Sequence, residues 1–128
     1  MAISITSYWR SSAAFRVRIA LNLKGLSYET IPVDLIKQGG EQFAPGYLKE
    51  NPNALVPILK DGNHTLHQSL AIIEYLEETY PSPALLPKDH KGRARVRALA
   101  AIVGADMHPV NNLRIRKFIA DVYKQDAD

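Results

Sequence analysis

The sequence contains no cysteine. That excludes a disulfide framework, a thiolate metal site and a cysteine nucleophile of the protein's own. Any sulfur chemistry must arrive with a ligand, and no metal is expected. Long hydrophobic runs are missing too, since no apolar stretch reaches membrane-spanning length. The start, Met1-Ala2-Ile3-Ser4-Ile5, has neither a basic leader nor an apolar h-region. It does not read as a signal peptide, and the cytoplasm is the expected compartment. A strong charge of either sign is absent: 16 basic and 13 acidic residues leave a formal +3. The basic side chains gather at Arg93, Arg95 and Arg97 and at Arg114, Arg116 and Lys117, interleaved with apolar residues. No nucleic-acid motif accompanies them. A solvated face, or attraction of small anions, fits that pattern better than DNA or a membrane.

What is present suffices for one domain with a sizeable core: 128 residues, 46% of them hydrophobic. Ile3 to Tyr8 alternates as a short strand does. Phe15, Ile19 and Leu23 then share one helical face, and Gly25 stops that helix. Ser27 to Val33 reads as a second strand, with Pro32 favouring an edge or a strand end. Gly39-Gly40 is a loose connection, and Phe43, Tyr47 and Leu48 suggest a short or irregular helix. Val56 to Lys60 reads as a strand, Asp61-Gly62-Asn63 as a hairpin turn and Thr65 to His67 as the return strand. Ser69 is placed to cap the helix carrying Leu70, Ile73 and Leu76. The order βαβ, then α, then ββα is that of an α/β, thioredoxin-like half-domain, complete near Tyr80. The segment 81–90, with Pro81-Ser82-Pro83 and Pro87, is a linker anchored by Leu85 and Leu86. Helices follow in 91–128: one from Arg93 to about Met107, which Pro109 should end or kink, and one from Leu113 to Tyr123.

Three segments carry candidate chemistry. Tyr8-Trp9-Arg10-Ser11-Ser12 places a serine pair where strand one hands over to helix one. The first N–H groups of a helix have no intrahelical partner and carry the positive end of its dipole, so a thiolate would be stabilised there. The plain alternative is that Ser11 or Ser12 only caps the helix. Val56-Pro57 stands before strand three, where a cis proline would turn the Val56 backbone toward a peptide-like ligand. The plain alternative is a trans proline opening a strand. Gln68-Ser69 stands at a second helix start and suits a carboxylate, against the alternative of a simple cap. Together they fit a peptide-like, anionic, thiol-bearing ligand: Ser11 for the sulfur, Val56 for the backbone, Gln68 and Ser69 for the carboxylate. Glutathione has all three features.

The chain resembles the zeta-class glutathione transferases, the maleylacetoacetate and maleylpyruvate isomerases. The resemblance runs through Tyr8 to Ser12, Arg16-Val17-Arg18-Ile19-Ala20-Leu21, Asn51-Pro52 with Val56-Pro57, Gln68 to Glu78, Leu85-Leu86-Pro87 and Arg93 to Asn112. It implies a thioredoxin-like glutathione-binding domain over 1–80, followed over 91–128 by the first helices of an all-α C-terminal domain. Such proteins are longer, with five or more helices in that domain, so the resemblance implies a fragment or truncated product. The family's Ser-Ser-Cys signature falls on Ser11, Ser12 and Ala13, the last a departure. The thiolate-stabilising role falls on Ser11. The pyruvate-type branch, which lacks the cysteine, implies three substrate-binding positions, Arg10, His108 and Arg114, and Asn112 is implied near glutathione. Two carboxylates of a maleyl substrate need fixed positive partners, which arginine supplies well.

The implied reaction is glutathione-dependent cis–trans isomerisation of a small dicarboxylate in aromatic catabolism, by a homodimer. Two alternatives share Ser11, Val56, Gln68 and Ser69. One is a general transferase that conjugates small electrophiles, and the other is a truncated glutathione-binding module without catalysis. Without the resemblance, His108 reads as a core or interface residue and Arg114 as a solvated one.

Overall fold

The structure is a computed structural model and describes residues 2–124. Residue 1 and residues 125–128, which close the expected helical segment, lie outside the described residues. The chain divides between Leu86 and Pro87 into two compact units.

The first unit is built on a four-stranded sheet in the order β2-β1-β3-β4. Its elements are β1 (Ile3–Ser7), α1 (Ser12–Leu23), β2 (Tyr28–Pro32), α2 (Pro45–Glu50), β3 (Ile58–Asp61), β4 (His64–His67) and α3 (Ser69–Thr79). β1 runs parallel to β2 across the α1 crossover, whereas β3 is antiparallel to both β1 and β4. Pro32 closes the edge strand β2, where a missing N–H costs no ladder bond. Alternation sorts the two faces. Ile3, Ile5 and Leu59 join Val17, Ala20, Leu21, Ile72 and Leu76 in one core beneath α1 and α3. Thr6 and Ile58, paired across the sheet, face the other way. On that second face Lys60 bonds Glu50 of α2 at 2.8 Å.

The face of α1 that turns inward is not the Phe15, Ile19 and Leu23 face read from the sequence. Its buried residues are Ala13, Ala14, Val17, Ala20 and Leu21. Small side chains let the helix lie close to the sheet. The Phe15, Ile19 and Leu23 stripe is instead the outer face, 55%, 42% and 61% exposed. Gly25 ends α1 as expected. Its φ of +65° suits glycine, and the bonds from Gly25 N to Asn22 O and from Leu26 N to Leu21 O, both 3.0 Å, form a Schellman motif.

At the end of the sheet away from β1's C-terminus, a buried polar network ties four pieces together. The Lys24 ammonium donates to Glu77 Oε2 and the Tyr80 carbonyl, each at 2.7 Å, and to the Pro83 carbonyl at 3.0 Å. Glu77 also accepts the N–H groups of Leu85 (2.9 Å) and Leu86 (3.1 Å). The Tyr80 hydroxyl donates to Asp61 at 2.6 Å, and Tyr75 does so at 3.0 Å. Residues 81–86 are thereby fastened to the first unit.

The second unit contains α4 (His90–Ala101), a π-helical stretch (Ile102–Met107), α5 (His108–Val110) and α6 (Leu113–Tyr123). Pro109 does not stop the helix outright. Lacking an N–H, it leaves a carbonyl one turn back unserved. The preceding turns widen, with His108 N–H donating to Val103 O. The helix ends only after Val110.

Candidate glutathione site at the helix N-termini

The strand register brings three of the sequence-derived segments to one end of the sheet. Thr6 pairs with Ile58, and Ile58 pairs with His67. Just past these pairs, at the same end of the sheet, the chain reaches Ser7-Tyr8, Val56-Pro57 and Gln68. α1 and α3 both begin at this end. Two helix N-termini therefore flank the Val56-Pro57 step, whose peptide bond is cis.

Ser11 is the N-cap of α1. Its φ and ψ of −75° and 113° are extended, and its Oγ accepts the Ala14 N–H at 3.1 Å. Its own N–H closes the preceding turn on the Tyr8 carbonyl at 3.0 Å. Capping uses only an oxygen lone pair. The hydroxyl proton remains for donation, so the capping and anion-holding readings of Ser11 are compatible. Ser12 is the first helical residue and is exposed. Arg10 is exposed in the turn, its guanidinium 5.5 Å above the Trp9 ring.

The start of α3 corrects a second expectation. Ser69 does not cap the helix but is its first residue, and the cap position falls to Gln68, whose side chain makes no capping bond. β4 runs to His67, so a single residue must turn the chain from strand to helix. Gln68 does so with φ +68° and ψ 111°, outside the regions that L-residues prefer. Gln68 thus leaves the first-turn N–H groups of α3 without a bond from the cap residue's side chain, which suits a helix end that receives an external carboxylate. Ser69 is buried beside them.

Val56 is held by the loop that opens at Asn51-Pro52, through Asn51 and Tyr47, to which the sequence reading gave no role at the site. Asn51, 2% exposed, donates from Nδ2 to the Leu55 carbonyl at 2.8 Å. Its Oδ1 accepts Asn53 N–H at 3.1 Å. Tyr47 Oη donates to the same Leu55 carbonyl at 2.6 Å. The available signal was Asn-Pro just ahead of Val-Pro, a turn-forming pair needing internal hydrogen bonds.

Among the residues of the second unit, Asn112 caps α6. Its Oδ1 accepts the N–H groups of Arg114 (3.0 Å) and Ile115 (3.3 Å), while its Nδ2 donates to the Pro109 carbonyl at 3.0 Å. His108 is half-buried and Arg114 exposed.

The sequence profile of the glutathione S-transferase N-terminal domain matches residues 7–84. The chain belongs to the glutathione S-transferase family. Relatives described as zeta-class are among its matches. It is 53% identical over 119 residues to a probable maleylacetoacetate isomerase of Vibrio cholerae, covering 93% of this chain and 55% of that protein. A holo structure of a maleylpyruvate isomerase, described as a bacterial zeta-class glutathione S-transferase, superimposes with a TM-score of 0.91 at 51% identity. That match covers 96% of this chain and 57% of the other. A maleylacetoacetate isomerase from Methylobacterium extorquens, with bound malonate and glutathione, gives 0.90 at 48% identity, covering 95% and 56%. The chain spans about half the length of the curated relatives it matches. Among its described residues, no helix is long and apolar enough to cross a membrane, and no group of three or more acidic or histidine side chains could hold a metal ion.

Proposed function

We propose that this chain binds glutathione along the β1-β3-β4 sheet end and serves the isomerisation of a maleyl compound, maleylpyruvate or maleylacetoacetate, to its fumaryl isomer. The observation that carries the reading is that Tyr8–Ser11, Val56-Pro57 and Gln68-Ser69 follow or precede the paired residues at one end of the sheet, where α1 and α3 both begin. Crossing from β1 to β4 spans two strand spacings, about 10 Å. An extended tripeptide is also about 10 Å long. The donors suit the ligand's groups in order. The Ser11 hydroxyl would hold the sulfur, the Val56 backbone the cysteinyl residue, and Gln68 with Ser69 and the α3 N-terminus the γ-glutamyl carboxylate. Bound glutathione supplies a nucleophilic sulfur able to add to a carbon–carbon double bond and leave it again.

The protein's part is to keep that sulfur ionised and to hold a dianionic substrate. A hydrogen bond from Ser11 and the α1 dipole both favour the thiolate over the thiol. Ser12, the next residue, would act in support. Arg10 would pair with a substrate carboxylate. For His108, Arg114 and Asn112, the substrate-binding and glutathione-binding roles rest on the resemblance. Bound malonate in the Methylobacterium extorquens relative supports a dicarboxylate substrate. The homodimer is also part of the proposal, supported by Leu99, Val103 and Met107, which are 55%, 54% and 53% exposed.

Calorimetric titration of the chain with glutathione tests the reading. Heat of binding, competed by S-methylglutathione, is expected. No heat at millimolar ligand would refute it. Turnover of maleylpyruvate and maleylacetoacetate, with and without glutathione, then distinguishes the substrates.

A further inference from the structure

The Leu55 carbonyl receives two strong donors on one oxygen, Asn51 Nδ2 at 2.8 Å and Tyr47 Oη at 2.6 Å. Tyr47 lies within α2 and Asn51 is its C-cap. Asn51 also anchors the loop between, accepting Ala54 N–H on its own carbonyl at 3.0 Å and Asn53 N–H on its side chain at 3.1 Å. Ala54 is held at φ +53°, a left-handed conformation uncommon for alanine. Such investment in one carbonyl has a geometric consequence. The Leu55–Val56 peptide bond is trans and planar, so its C=O and N–H point in opposite directions. Pinning the oxygen toward α2 turns the Val56 N–H away from α2. Among the described residues, that N–H has no backbone partner in the turns and loops.

We propose that Tyr47 and Asn51 are positioning residues: by gripping the Leu55 carbonyl they aim the Val56 N–H at the cysteinyl carbonyl of bound glutathione. The inference rests on the glutathione reading above and adds the device that fixes its central contact. Neither residue touches the ligand in this account. The Tyr47 hydroxyl is a dependable donor, because burial, aided by the charge of Glu50, pushes its pKa up to about 12. It keeps its proton throughout the neutral range.

The test uses Tyr47→Phe, which keeps the ring and removes only the donor; Asn51, fully buried, is left in place. Two probes are titrated into the wild-type chain and the variant by calorimetry. One is glutathione, and the other is an analogue whose cysteinyl carbonyl is replaced by a methylene. Tyr47→Phe should weaken glutathione about fivefold, the effect of one ordinary hydrogen bond. It should leave the analogue's weaker affinity unchanged, because that ligand has nothing for the Val56 N–H to meet. The Val56 amide resonance should move on adding glutathione to wild type and move less in the variant. Equal weakening of both probes would mean a merely structural role and would overturn the proposal, as would no weakening of either. Wild type binding neither probe would overturn the glutathione reading itself, an outcome distinct from the other two.

Discussion

Gln68 is the most exposed to test of the residues at this site, because its backbone and its side chain make opposite predictions. A residue other than glycine at φ +68° and ψ 111° carries local strain, on the order of 1–3 kcal/mol. Gln68→Gly removes the Cβ responsible. Against that, glycine loosens the unfolded chain, which costs about 0.5–1 kcal/mol. The balance is a net stabilisation of up to about 2 kcal/mol, a rise in Tm of several degrees at roughly 4 °C per kcal/mol for a chain of this size. The same substitution deletes the amide proposed to meet the γ-glutamyl carboxylate. A hydrogen bond to a charged group is worth about 1.5–3 kcal/mol, so affinity should fall about tenfold to a hundredfold. Gln68→Ala separates the effects, since it keeps the strained Cβ and loses the amide. Thermal melts of the free proteins and calorimetric titration with glutathione read both quantities. Gln68→Gly should melt above wild type, Gln68→Ala should not, and both should bind more weakly. A glycine variant melting below the alanine variant would refute the strain argument. Unchanged affinity in both would remove Gln68 from the site.

Ser11→Ala should raise the pKa of the bound glutathione thiol by about one to two units, at 1.36 kcal/mol per unit for a charged hydrogen bond. The thiolate absorbance belongs to the ligand alone, because the chain has no cysteine. Ser11→Gly should shift that pKa equally while costing only a few tenths of a kcal/mol of the roughly 1 kcal/mol cap that alanine loses, and an unshifted pKa in both would count against Ser11. Burial pushes Glu77 up, but the Lys24 ammonium and the N–H groups of Leu85 and Leu86 outweigh it and hold its pKa below the ordinary value. Its stabilisation is therefore present above the unfolded-state pKa and lost as pH falls through the lower folded one. Glu77→Gln should cost about 3–5 kcal/mol at neutral pH by leaving Lys24 buried and unpaired, and its denaturation free energy should vary less with pH on the acid side than wild type's. At Gly40, with φ +115°, an added Cβ would stand 2.5 Å from Gln42 Nε2 and 2.8 Å from its Cδ. Gly40→Ala should lower Tm by more than Gly39→Ala, which shares a positive φ (+84°) but meets open space, and the reverse order would refute the packing argument.

Much of the first unit could be read from the residues. Period-two runs at Ile3 and Val56, Gly25 past the end of the first helix and the Gly62 turn gave the order of elements, and the strand register then brought the segments that begin at Tyr8, Val56 and Gln68 to one end of the sheet. What escaped was decided by context. The Phe15 stripe and the Ala13, Ala14 and Val17 face are both apolar, and spacing does not say which one lies on a sheet. Ser69 has the chemistry of a cap, yet the length of β4 leaves only Gln68 to make the turn. Lys24 and Glu77 stand 53 residues apart, and nothing local announces that a lysine and a glutamate will be buried against each other. The Tyr47–Leu55 bond is invisible for a similar reason: it joins a helix face to a carbonyl, and carbonyls leave no mark in a sequence.

The β3-β4 hairpin gives the molecule a handle. Asp61 pairs with His64, so Gly62 and Asn63 form the tip, with Gly62 at φ +57°. That tip lies at the far end of the very strands whose other ends carry Val56 and Gln68, four residues of ladder away. Extra chain inserted between Gly62 and Asn63 would emerge from the sheet pointing away from both helix N-termini. A fluorescent reporter, an affinity tag or a tether to a surface placed there would leave the candidate site open. The hydroxyls on Asp61 brace the base of the hairpin against the disturbance. The same insertion between Asn53 and Ala54 would break the grip on Leu55, which makes the two positions a matched pair for engineering: one permissive, one not.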